Sequence, residues 1–194
     1  MAAALVVIEN VTLDGVMQAP GRPDEDTRDG FAHGGWSVPY NDEVLGQLMG
    51  EHMARESALL FGRRTYEDFA GFWPHQTDNP FTPVLDARTK YVVSSTLREP
   101  LPWANSTLLE GDAVTAVTGL KERSSLDLVV LGSGELVRAL AVHGLVDDYL
   151  LIVHPLVLGS GRRLFPEHGP RQALQLTRST TTTTGVTVAA YSPA

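Results

Sequence analysis

The chain has 194 residues, a formal net charge of −8 and no cysteine. Its size suits one domain, residues 1–194, with a core of its own, and 43% hydrophobic with 20% charged residues is globular composition, excluding whole-chain disorder, collagen or coiled coil. Without cysteine there is no disulfide framework, thiol nucleophile or zinc–cysteine site, and 15 basic against 23 acidic residues with no basic run longer than a pair argue against nucleic acid as a partner.

The elements follow in chain order. Leu5 to Ile8 reads as a first strand, closed by the turn at Asp14-Gly15. Pro20 to Gly35 is rich in Pro, Gly and Asp, the composition of a long loop, which in a compact domain more often carries function than none. Asn41 is placed to cap a helix reaching about Arg55, with Val44, Leu45, Leu48, Met49 and His52 near helical spacing. Ala58 to Phe61 is a short buried strand, followed through Gly62 by a helix from about Arg64 to Ala70. Residues 71–83 read as a loop. Tyr91–Val93 and Thr107–Leu109 are strands, and Asp112 caps a helix to about Glu122. Leu126–Leu131 is a continuous apolar run between helices, the pattern of a parallel strand covered on both faces. Ser133–His143 is a helix and Tyr149–Val153 a strand. Leu174–Thr180 and Val186–Tyr191 form a closing antiparallel hairpin around Gly185, with the threonine run at 180–184 read as strand and turn. The sum is an α/β fold with a mostly parallel sheet and an antiparallel C-terminal edge. The apolar stretch Tyr149–Leu158 is broken by His154 and Pro155 and falls short of the roughly 20 residues of a membrane span. The N-terminus lacks a signal peptide's positive region, so a cytoplasmic protein with no membrane partner is expected.

Three strand ends carry polar chemistry. In Leu131-Gly132-Ser133-Gly134-Glu135-Leu136 a buried strand enters a helix through a glycine turn, the geometry whose backbone amides attract phosphate. The dinucleotide pattern GxGxxG fails at Val137, GxSxG fails at Leu131 and Glu135, and the P-loop lacks its Gly-Lys-Ser/Thr; a plain tight turn explains the motif equally. Gly62-Arg63-Arg64-Thr65 repeats the arrangement with an arginine fork suited to a phosphomonoester, or with a surface helix and solvated arginines. Ser94-Ser95-Thr96 adds hydroxyls. Ligands of open α/β sheets bind beyond the carboxyl ends of the strands, so together the three ends fit a dinucleotide. The six histidines are scattered without HxxxH spacing and give no metal site; His154 reads as structural. Trp36, Tyr40, Phe72 and Trp73 fall in loops, where they either stack on a planar ligand or plug the core rim.

These motifs, with Thr12-Leu13-Asp14-Gly15, Tyr91-Val-Val-Ser94-Ser95-Thr96-Leu97 and Leu145-Val-Asp-Asp-Tyr149 through His154-Pro155-Leu-Val-Leu-Gly159-Ser-Gly161-Arg-Arg-Leu-Phe165, resemble the dihydrofolate reductase-like family. The closest likeness is to the reductase domain of the riboflavin-biosynthesis deaminase/reductase. The resemblance implies a three-layer α/β/α fold, a homodimer and an NADPH site. In that site Gly62, Arg63, Arg64 and Thr65, with Ser94, Ser95 and Thr96, hold the adenosine 2′-phosphate and its neighbours. The turn from Leu131 to Leu136 receives the pyrophosphate, and the backbone around Val7 meets the nicotinamide amide. The segment Asp14–Pro20 lies over the nicotinamide as a lid. The substrate is a pyrimidine or pterin-like heterocycle, as for a 5-amino-6-(5-phosphoribosylamino)uracil reductase, with Trp36, Tyr40 and Trp73 as its candidate contacts. Asp14, Asp42 and Glu43 are the candidate proton donors. From the length and the lack of cysteine, the zinc deaminase domain of the bifunctional enzyme is not expected in these 194 residues. A dihydrofolate reductase, and a nucleotide-binding module without turnover, are the alternatives.

Overall fold

Eight strands form a sheet in the order β4-β3-β2-β5-β1-β6-β8-β7: β1 (Leu5–Thr12), β2 (Ala58–Gly62), β3 (Lys90–Val93), β4 (Ser106–Leu109), β5 (Leu128–Leu131), β6 (Asp148–His154), β7 (Leu174–Thr181) and β8 (Thr187–Pro193). The pairs β4–β3, β3–β2 and β2–β5 are parallel, whereas β6–β8 and β7–β8 are antiparallel. Among the described residues five α-helices accompany them: α1 (Glu43–Met53), α2 (Arg63–Phe72), α3 (Thr82–Ala87), α4 (Ala113–Arg123) and α5 (Gly134–Val142). This is a three-layer α/β fold with a mostly parallel sheet and an antiparallel C-terminal hairpin, as expected. The computed structural model describes residues 2–194.

Three local expectations are corrected. β1 runs past Ile8 to Thr12. The cap of α1 is Asp42, not Asn41, because the Asp42 Oδ1 accepts from Leu45 N–H at 2.8 Å. Residues 71–83 are not all loop: a 3-10 turn spans Trp73–His75 and α3 opens at Thr82 with Pro83 in its first turn. Proline there costs nothing, since that N–H lacks a helical acceptor anyway.

The chain forms two compact units. The first comprises the chain up to Val6 together with Met53–Val146. Its core gathers Leu59 and Phe61 of β2, Tyr66 of α2, Leu85 of α3, Val92 of β3 and Trp103. Lys90 is fully buried there, its Nζ donating to the carbonyls of Asp86 (3.1 Å), Arg88 (2.9 Å) and Ala104 (2.9 Å). It also lies 4.4 Å over the Trp103 ring, so this cation fastens the start of β3 to the segments that lead into β3 and β4 and needs no ligand. The second unit comprises Val7–His52 and Asp147–Ala194. α1 packs Leu45 and Leu48 on Leu150 and Ile152 of β6 and Val186 and Val188. A second cluster gathers Val16, Ala19, Phe31 and Trp36.

Candidate functional site

In the first unit the β2–α2 and β5–α5 turns interlock. Gly62 N–H donates to Ser133 Oγ (3.0 Å), and Ser133 N–H donates to Thr65 Oγ1 (3.1 Å). Gly132 (φ 66°) and Ser133 (φ 62°) are successive left-handed residues that turn the chain sharply from β5 into α5. Serine adopts that conformation at a cost of order 1–3 kcal/mol, the kind of strain kept at binding turns. At Gly132 a Cβ would meet Thr65 Cγ2 at 3.3 Å, so the turn also needs its lack of side chain.

The two helices that open from these turns lack side-chain caps. Their N-cap residues, Gly62 for α2 and Ser133 for α5, make no side-chain cap hydrogen bond. α1 and α4, by contrast, are capped by Asp42 and Asp112. An uncapped N-terminus leaves several N–H donors and the positive end of the helix dipole available to an anion. Charge surrounds them: Arg63 pairs with Glu67 (2.8 Å), and Arg64 reaches across to Glu135 in the first turn of α5 (3.3 Å). Both pairs are exposed, so each is worth little and exchanges readily for a stronger anion. At the end of β3, Ser94 is buried and its Oγ accepts from Thr96 and Leu97 N–H (3.1 and 3.0 Å). It shapes the turn, while Ser95 and Thr96 remain exposed. Trp73 packs against Phe69 and Phe72 at the core edge.

In the second unit the candidate acids have fixed duties. Asp14 accepts from Thr12 Oγ1 (2.5 Å), Leu158 N–H (3.2 Å) and Gly159 N–H (2.8 Å). Against a burial contribution in the other direction, these bonds hold its carboxyl below the usual range. Around it, Leu13 N–H donates to Leu156 O, Met17 N–H to Arg162 O and Leu164 N–H to Gly15 O. The segment expected to be a lid is thus stapled to residues 156–164. Asp42, besides capping α1, accepts from Thr183 Oγ1 (2.6 Å) and from the N–H groups of Thr183 (2.7 Å) and Thr184 (3.2 Å). The Thr183 hydroxyl above all, and Leu45 N–H next, bring its carboxyl to about 2. Both are settled carboxylates, poor sources of a proton. Glu43 stands exposed in the first turn of α1. Val7 is fully buried in β1.

Sequence reasoning missed Glu9. It sits on the same face of β1 as Leu5, Val7 and Val11, 3% exposed, with no partner for its Oε2. Burial pushes its carboxyl well above the usual range, because the low-dielectric surroundings disfavour the charged form. The signal was available: an acid in phase with the buried residues of an alternating strand.

His154, at the end of β6, is fully buried. Its Nε2 lies 3.0 Å from Asn10 Oδ1, and its Nδ1 has no partner. The rings of Trp36 (5.1 Å, 88°) and Tyr40 (5.6 Å, 73°) meet the imidazole edge-on, so these two candidate substrate aromatics converge on a histidine read as structural. Trp36 is itself 6% exposed and donates Nε1–H to Gln18 O (2.7 Å), which commits it to the core. Burial brings His154 down to about 4, so the ring is neutral at physiological pH. A buried polar atom without a partner costs about 1–3 kcal/mol. Among the described residues no group of three or more His, Asp or Glu could hold a metal, and no helix is long and apolar enough to cross a membrane.

The chain belongs to the RibD C-terminal domain family, whose profile matches residues 4–188. A curated relative, the uncharacterized protein YyaP of Bacillus subtilis (strain 168), is 28% identical over 178 residues, covering 85% of this chain and 89% of its own. Among solved structures, a proposed riboflavin biosynthesis protein from Shewanella sp. PV-4 superposes with a TM-score of 0.69 at 20% identity, covering 100% of this chain and 99% of the other. The dihydrofolate reductase of Enterococcus faecalis, complexed with NADP(H) and RAB-propyl, superposes with a TM-score of 0.59 at 14% identity, covering 100% and 99%. The dihydrofolate reductase-like fold expected from the motifs is therefore the fold observed.

Proposed function

We propose that the protein is an NADPH-dependent reductase of a pyrimidine or pterin-like heterocycle, of the riboflavin-biosynthesis type. One observation carries this reading: the two glycine turns expected to take phosphates are interlocked with each other, and the helices they open, α2 and α5, have no side-chain caps. Those turns fit a dinucleotide phosphate chain, because they open the N-termini of α2 and α5, whose N-cap residues make no side-chain cap bond and whose first-turn N–H groups attract an anion. Glu67 and Glu135 are adverse charges that pair with Arg63 and Arg64 in the free chain, so phosphate binding exchanges each exposed pair for a stronger one. Arg63 and Arg64, released from their carboxylates, clamp the 2′-phosphate, with Ser95 and Thr96 adding hydroxyl donors. The bound nicotinamide would supply hydride, and this chain supplies position and electrostatics. Membership of the RibD C-terminal domain family supports the reading, as does the similarity in fold to a reductase complexed with NADP(H).

The test compares cofactors. Replacing Arg63 with Ala removes a charge-assisted bond worth ~1.5–3 kcal/mol, so NADPH binding weakens roughly ten- to hundredfold while NADH binding is unchanged. Equal loss for both cofactors would remove Arg63 from the 2′-phosphate. A second reading, a nucleotide-binding module without turnover, draws on the engagement of Asp14 and Asp42 in structural bonds. It predicts NADPH binding without oxidation across a panel of pyrimidines and pterins.

A further inference from the structure

β2 and β3 are parallel neighbours, and their register sets Gly62 opposite Val93. The two chains therefore leave the sheet side by side, about 4.8 Å apart. One passes through Gly62 into Arg63 and α2, the other through Ser94 into the turn 94–98. Both stand beyond the carboxyl ends of the strands, where ligands of open α/β sheets bind.

The turn after β3 holds a cation in place. Buried Ser94 gathers the Thr96 and Leu97 N–H groups on its Oγ. The Arg98 guanidinium folds back over this curl, its Nη1 donating to the carbonyls of Leu97 (2.8 Å) and Ser95 (3.3 Å). Arg98 is exposed, and among the described residues it makes no ion pair. The acid next to it in sequence, Glu99, is engaged elsewhere: its Oε1 accepts from Leu108 N–H of β4 (2.6 Å) and its Oε2 from Leu101 N–H (3.1 Å). Arg63 and Arg64 differ, since each must leave Glu67 or Glu135 before it meets another anion. A guanidinium has donors only, so its sense is not open to choice. With Nη1 on the carbonyls, the side edge of the fork remains, Nε–H beside Nη2–H, and no hydrogen bond among the described residues uses either. Two parallel N–H groups on one edge match two oxygens of a phosphate. The carbonyl bonds fix the guanidinium before a ligand arrives, so less side-chain freedom is lost on binding.

We infer that Arg98 is a specificity-determining residue for the 2′-phosphate of NADPH. It takes the phosphomonoester on its Nε–Nη2 edge from the β3 side, while Arg63 approaches from the β2 side. A phosphomonoester carries close to two negative charges at neutral pH and three acceptor oxygens, enough for both forks. The inference rests on the reductase reading and adds to it a residue that decides between the two nicotinamide dinucleotides. NADH offers Arg98 nothing, because it has a hydroxyl where NADPH has the phosphate.

The experiment titrates the full chain with NADPH, NADH, adenosine 2′-monophosphate and adenosine 5′-monophosphate by calorimetry. Arg98→Ala weakens NADPH and the 2′-monophosphate roughly tenfold or more and leaves NADH and the 5′-monophosphate unchanged. Arg98→Lys keeps the charge without the fork and recovers only part of the loss. Because the two arginines share one phosphate, the Arg63→Ala, Arg98→Ala double variant loses less than the product of the two single losses. The melting temperature without ligand stays at the wild-type value, which separates a lost contact from a lost fold. If Arg98→Ala weakens NADPH and NADH by the same factor, or weakens neither, the inference falls and the reductase reading stands. A double loss equal to the product would put the two arginines on different groups and overturn the shared clamp. If wild type binds NADPH no more tightly than NADH, the 2′-phosphate site itself is wrong, and the inference falls with it.

Discussion

The two units treat charge in opposite ways. In the first, Arg63 and Arg64 are exposed and held only by surface carboxylates, beside helix ends that no side chain caps. In the second, Asp14 and Asp42 are saturated with hydrogen bonds, His154 is buried as the neutral ring, and Glu9 is buried with its carboxyl pushed well above the usual range. The groups proposed to take up an anion are left available, whereas the groups that hold a shape are consumed by hydrogen bonds or buried. A polar residue at a strand end therefore says little until its partners are counted.

The largest effect that would break this contrast concerns the second unit's scaffold. Gly161 has φ 116°, and a Cβ there would lie 2.7 Å from both Phe31 and Val16. Gly161→Ala combines overpacking with a strained backbone, so it should cost roughly 2–5 kcal/mol in denaturant unfolding. Wild-type stability would show that residues 156–164 yield easily and that Asp14 is not a fixed clamp.

Next comes acid sensitivity. His154 is neutral when folded, with its pKa brought to about 4 by burial, against ~6.5 unfolded. The unfolded chain binds the extra proton first, so this contribution is complete above pH ~6.5 and is lost as the pH falls toward 4, by about 3 kcal/mol. His154→Phe should flatten that slope between pH 6.5 and 4 relative to wild type. Glu9 runs the other way. Its raised folded pKa gives stability present below the unfolded carboxyl range and lost as the pH climbs through the folded value. Glu9→Gln should remove that alkaline loss and leave the protein at least as stable at pH 8. A Glu9→Gln protein less stable than wild type at pH 8 would mean the carboxylate is stabilised in the fold after all.

The smallest effects sharpen the comparison within a single residue type. Asp42→Asn keeps one oxygen, for Leu45 N–H or for the Thr183 donors but not for both, and should lower the melting temperature less than Asp42→Ala. Neither should alter NADPH affinity, whereas Arg63→Ala should alter NADPH affinity and barely touch the melting temperature. An Asp42 variant that loses turnover while keeping its melting temperature would restore Asp42 as a catalytic acid.

The same contrast explains what the sequence made legible. The strand–glycine–helix turns at Gly62 and Gly132 are local: a few consecutive residues set strand, turn and helix, so their chemistry could be read without the fold. The hairpin of β7 and β8 was legible for the same reason. The second unit's arrangements are made by residues far apart in the chain: Asn10 with His154, Asp14 with Gly159, Asp42 with Thr183. No spacing rule joins positions some 140 residues apart, so His154 read only as a lone histidine and Asp42 only as a surface acid. Glu9 is the exception, because its place in the alternation of β1 already set it on the buried face.

The most direct test of the central claim is a parallel calorimetric titration of the purified protein with NADPH and NADH. If the uncapped, arginine-flanked turns of the first unit are a 2′-phosphate and pyrophosphate site, NADPH binds at least tenfold more tightly than NADH, and the difference disappears in Arg63→Ala. Equal affinity for the two in wild type, or binding of neither with the protein stripped of prior ligand and supplied with a heterocyclic probe, would contradict it.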